Sequence, residues 1–148
     1  MPQPFNLKNY PISVALLAGL ISGIALGLLL KLMEEVTQKK VYTLLLNVDY
    51  IPLLKEYKFS EVIEFSFHLL ISVILSILLF LFLRQKNWAA KHNMYFVIIV
   101  SLIIAILLYP TTTFSQRTPA LSDWAAIFYW LLAHLLYGSI LGVLLRKA

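Results

Sequence analysis

The chain has 148 residues, 61% of them hydrophobic and 13% charged, with a formal net charge of +5. Soluble domains are roughly 45–50% apolar and about 25% charged, so this composition is that of a membrane protein forming a single bundle. The absence of cysteine excludes disulfides and thiolate metal sites, and no basic patch is interleaved with aromatics, so nucleic acid is not an expected partner.

The first apolar run is longer than the core of a signal peptide and reads as a retained helix from about Ile12 to Leu32. Ala15, Gly19, Gly23 and Gly27 recur at spacing four. Small residues on one helix face let a second backbone approach closely, within a monomer or between protomers. That face continues to Lys31 and Glu35, so the helix is expected to project past the bilayer.

Residues 33–59 form the longest connection. Val41, Leu44, Leu45, Val48 and Ile51 make a helical stripe, interrupted by Asn47, Asp49 and Pro52. A run this short suits an interfacial or re-entrant amphipathic helix. Tyr42, Tyr50 and Tyr57 suit the headgroup level.

The second spanning helix is expected over residues 61–83, with Ser60 as N-cap and Glu61 and Glu64 in its first turn. The third covers about 90–109 and should stop at Pro110. The fourth covers about 124–145, capped by Ser122 and Asp123. Trp130, His134, Gly138 and Gly142 share one of its faces at spacing four.

The stretch richest in chemistry opens the second span. At 100° per residue, Glu61, Glu64, His68, Ser72 and Ser76 fall within an arc of about 120°. Ionisable groups at membrane depth are costly and usually face protein or water. Glu64 should lie roughly 5 Å, and His68 roughly 10 Å, deeper than Glu61; His134 lies about 18 Å from the start of its helix, near the midplane. Glu61, Glu64, His68, Ser72 and His134 are therefore the candidate ligand or ion residues. The plain reading is surface capping by the two glutamates, with His68 bonded to a serine or a carbonyl. The sharper one is a binding site shared by His68 and His134. A metal site from Glu64, His68 and His134 lacks the within-helix spacing that would support it.

Four spans place the 84–93 connection and both chain ends on one side. That side carries Lys8, Arg84, Lys86, Lys91, Arg146 and Lys147 and no acid, whereas all seven acids lie on the other. Both termini are expected in the cytoplasm, in a multi-pass cell-membrane protein. Asp49 and Asp123 read as isolated loop acids, and Arg117 as a candidate contact for a lipid phosphate.

No catalytic or cofactor-binding motif is present, so no cofactor is implied and the chain leans away from being an enzyme. The leading expectation is an accessory or scaffold subunit that binds membrane lipid, a protein partner or a second copy through its acidic face. The alternatives are a small oligomeric channel or transporter using the Glu61–Ser76 stripe, and a lipid-modifying enzyme.

Leu108-Tyr109-Pro110 ending the third span, a polar loop, and Leu136-Tyr137-Gly138-Ser139-Ile140-Leu141-Gly142 in the fourth resemble the small bacterial four-helix membrane proteins of the YqhR type, and more distantly those of the YagU type. The glycine-rich Gly19-Leu20-Ile21-Ser22-Gly23 is similar as well, while the charged 33–59 connection departs from the pattern. The resemblance implies the four-helix layout and no particular activity.

Overall fold

The computed structural model describes residues 11–54, 56–86 and 88–147. The expectations placed on Lys8 and the side chain of Lys147 fall outside these. Five α-helices follow in order: α1 (Ile12–Thr37), α2 (Val41–Leu46), α3 (Glu61–Arg84), α4 (Ala90–Leu108) and α5 (Trp124–Lys147). α1, α3, α4 with its extension, and α5 are each long and apolar enough to cross a membrane, and the short α2 lies between the first two. The chain is an all-helical, multi-pass membrane protein.

Local chemistry sets the helix ends, with one departure from expectation. α1 stops at Gln38, a non-glycine residue at φ 59° whose N–H bonds Glu34 O. Asp123 caps α5, its Oδ1 accepting from the Ala126 N–H at 3.2 Å. Ser60 does hold the N-cap position of α3, but its side chain makes no capping bond. The helix expected to stop at Pro110 does so, α4 ending at Leu108, and the chain goes on as a 3-10 segment, Tyr109–Phe114, with the proline at its start. Pro110 has no N–H to offer the Ile106 carbonyl four residues back, and its ring crowds that carbonyl, so the α-helical ladder cannot continue through it.

α1 packs against α3 and α5, and α5 packs against α4. Between apolar helices in lipid, association depends on close packing and hydrogen bonds, because burial from water adds nothing. Glycine supplies the closeness. A Cβ at Gly19 would lie 2.8 Å from Val73 Cα and 2.9 Å from Ser72 O, and one at Gly23 would lie 2.9 Å from Ser72 Cβ. A Cβ at Gly27 would strike the Phe65 ring. On α5, one at Gly138 would sit 2.9 Å from Ser101 Cβ and 3.0 Å from Ile98 Cα, and one at Gly142 3.0 Å from Met94 Cγ. Both glycine faces are thus used inside the monomer. Ala15 extends the first of them, fully buried with its carbonyl accepting from Ser76 Oγ at 2.7 Å.

α3 and α4, by contrast, approach each other little. Their link is an aromatic cluster at the basic end: Phe82 stacks on Phe96 at 5.1 Å, and Trp88 stands edge-on to Phe96 at 5.5 Å. Toward the acidic end a gap separates the two helices. α2 covers its top with Leu44 and Leu46, both buried. The apolar stripe expected to rest on the membrane is therefore largely taken up by protein, with Val41 and Val48 buried as well.

Candidate functional site

The gap encloses a cavity of about 80 Å³. Glu64, His68 and Ser72 reach it from α3, Ser101 from α4, and Trp130, His134 and Tyr137 from α5. Four of the five candidate residues, Glu64, His68, Ser72 and His134, thus share one site. Glu61 does not. It is exposed, takes a 2.7 Å ion pair from Lys31 Nζ, and accepts from Tyr42 OH at 2.9 Å.

The hydrogen bonds fix which groups are committed. A carbonyl only accepts, so each donor can be read from its partner. His68 Nε2 is 3.1 Å from Gly23 O and carries the proton of that bond. This matches the plainer reading of His68. Ser72 Oγ donates to Gly19 O at 2.8 Å, so its 3.0 Å contact with Tyr137 must have the phenol as donor. A directed chain results, Tyr137 to Ser72 to Gly19, tying α5, α3 and α1 together. His134 Nδ1 lies 2.9 Å from Trp130 O and is the protonated nitrogen. In the neutral ring its Nε2 keeps a lone pair, and none of the described residues bonds it.

Glu64 overturns the expectation that both glutamates cap a surface helix. It is only 4% exposed, and Arg117 grips it with two parallel bonds, Nη1 to Oε1 at 3.0 Å and Nη2 to Oε2 at 3.2 Å. The fork geometry of guanidinium matches a carboxylate in this way. Those bonds also raise the Arg117 pKa, so the guanidinium stays charged. Arg117 is committed to Glu64 rather than free for a lipid phosphate. Outside the pair lies a larger pocket of about 380 Å³, walled by Lys31, Glu34, Tyr42, Glu61 and Phe59. Glu64 and Leu46 line both spaces and form the partition between them.

The loop acids are not isolated either. Asp123 binds Lys39 Nζ at 2.9 Å, Asp49 accepts from Ser115 Oγ, and Glu34 takes both the N–H and the hydroxyl of Thr43. The hydrogen bond from Lys39 is the main reason the Asp123 carboxyl is held below its ordinary range. Burial, with Glu61 beside it, pushes the Tyr42 hydroxyl upward.

Two contributors escaped the sequence reading as site residues. Tyr137 follows His134 by three positions and so shares its face. Asn47 was read as an interruption of a stripe. It is 2% exposed and lines the cavity; its Oδ1 accepts from the Asp49 N–H at 3.3 Å while its Nδ2 has no hydrogen-bond partner. A polar residue inside a short apolar run was the available signal. Among the described residues no three His, Asp or Glu side chains come close enough to hold a metal ion. No protein-family model matches the chain, and neither the curated proteins nor the solved structures contain a match.

Proposed function

We propose that this chain is a non-enzymatic integral membrane protein that binds a lipid, with the polar part of the lipid held in the cavity between α3 and α4. The observation that carries this reading is the cavity itself. Its walls are mostly apolar, a few polar groups converge on it, and His134 Nε2, Asn47 Nδ2 and the Tyr50 hydroxyl have no hydrogen-bond partner among the described residues, the pattern of a binding site. The acidic face becomes a less suitable docking surface for a protein partner, since Glu34, Asp49, Glu61, Glu64 and Asp123 are all satisfied within the chain.

The hydrogen bonds also bear on the alternatives. Neither cavity histidine is bonded to a hydroxyl, and the Ser72 proton is committed to a carbonyl, so no nucleophile sits beside a base. Below Ser76 the stripe gives way to buried Leu79, Phe80 and Leu83, which gives a continuous polar path no support. The glycine faces, used within the monomer, lend none to an oligomer. The excess of Lys and Arg over Asp and Glu in the 84–91 connection and at 146–147 supports an orientation with that end in the cytoplasm of a bacterial cell.

Native mass spectrometry of protein released from lipid nanodiscs tests the reading. A lipid adduct should persist on the parent chain and be lost when Ser101→Phe fills the cavity. A bare chain in every charge state would refute it. Protease protection of a C-terminal tag in spheroplasts checks the orientation.

A further inference from the structure

We propose that the cavity selects an uncharged, hydroxyl-bearing head on an apolar tail: a neutral lipid such as a monoacylglycerol or a long-chain alcohol. This rests on the reading of the cavity as a lipid site and adds the class of lipid.

The selection follows from what the walls still have to offer. The protons of Ser72 and Tyr137 are already given to Gly19 O and Ser72 Oγ, and the Ser101 proton goes to Val97 O at 2.9 Å. Those oxygens can only accept further bonds. His134 Nε2 is a further acceptor in the neutral ring. Asn47 Nδ2 and the Tyr50 hydroxyl are the unused donors in the described lining. A phosphate or carboxylate head brings acceptors alone, and would set its oxygens against this row of lone pairs. An ammonium head brings donors alone, leaves Asn47 unmatched, and carries a charge into a site whose one carboxylate, Glu64, already has Arg117. Moving an unmatched charge out of water is costly in so apolar a setting. A hydroxyl-bearing head both donates and accepts, which matches the His134 acceptor and the Asn47 and Tyr50 donors in kind.

Size and access agree. A space of about 80 Å³ admits a small head and no more. The tail has a way out, because the cavity wall includes Ile71, which is 54% exposed on the flank of α3. Phe67, Leu75 and Ile104 line the same opening with apolar surface.

Trp130 stands in the wall and supplies the readout. The chain has three tryptophans, so Trp88→Phe with Trp124→Phe leaves Trp130 alone. This protein, in phosphatidylcholine nanodiscs, is titrated with a monoacylglycerol brominated in its chain. The equivalent brominated alkyl sulfonate and primary alkylammonium are titrated in parallel. Saturable quenching by the monoacylglycerol, at least about tenfold tighter than by either ion, is expected. His134→Phe and Asn47→Leu should each weaken it by up to about tenfold, the worth of one buried hydrogen bond. The three-probe comparison needs neither variant, so it decides the head class even where a variant fails to fold. Saturable quenching that favours an ion would overturn the neutral head and leave the lipid site standing. Weak, non-saturating quenching, equal for all three, would overturn both.

Discussion

The two sides of α3 are built in opposite ways. Toward α1 the helix is stitched down: glycine lets the backbones meet, and His68, Ser72 and Ser76 all bond α1 carbonyls. Toward α4 the helix stands off, and the space between fills with the polar ends of α5 residues. Those carbonyls already serve α1's own helical bonds, so the side chains add a second, bifurcated bond and orphan nothing. A polar stripe in a membrane helix is therefore not by itself a site. Here most of it is stitching: His68 and Ser72 border the cavity with their protons already given to α1, and Glu64 borders it paired with Arg117.

Substitutions can break this contrast. The largest effect is expected at the stitched side. Gly19→Val drives a side chain into the α3 backbone and should cost about 3 kcal/mol in unfolding from detergent micelles. Ile71→Ala, on the open side, should cost less than about 0.5 kcal/mol, because the side chain faces outward. Equal costs would mean that the two sides are packed alike.

The Arg117–Glu64 pair comes next, at the head of the gap. Arg117→Ala leaves a buried carboxylate alone and should destabilise by about 2 kcal/mol, less than a fully buried pair because Arg117 is half-exposed. Glu64→Gln leaves only a half-exposed cation and should cost about half as much. The reverse order in chemical unfolding would mean that Arg117, not Glu64, is the buried member.

The smallest effect lies away from both sides, where Lys39 joins the α1–α2 turn to the start of α5. The Asp123 carboxyl is held below its ordinary value of 3.8, so its stabilising share is present above that pH. It fades as the pH falls through the lowered value. Asp123→Asn should abolish that pH dependence while keeping the cap, since asparagine caps nearly as well, with a loss below about 1 kcal/mol near neutrality. A variant whose unfolding midpoint still tracks acid in the parent's manner would assign the dependence elsewhere.

Much of this was legible beforehand because it is local. Apolar length marked the four spans, and spacing by four marked the glycine faces and set His134 on the face of Gly138. What was not legible is pairing between distant segments. Nothing near Glu64 points to Arg117, 53 positions away in a polar loop, so a buried pair read as a surface cap. Periodicity along α3 also cannot say which neighbour a face meets, so the stripe did not reveal that Ser72 and Ser76 turn to α1. Pro110 marked the end of α4 but not the 3-10 turn beyond it. It is incompatible with continued α-helix, but the tighter 3-10 winding accommodates it, and Tyr109 OH then bonds Ala120 O at 3.2 Å to hold the loop that carries Arg117.

The Phe82–Phe96 stack has a consequence for the surrounding bilayer. It closes the approach between α3 and α4 at the basic end, while the flank around Ile71 stays open. A molecule diffusing in the leaflet at the basic end has no line of entry between these helices, whereas one in the opposite leaflet does. On the lipid-binding reading proposed above, occupancy would then follow the lipid that reaches the flank from Phe67 to Ile71 rather than the composition of the membrane as a whole.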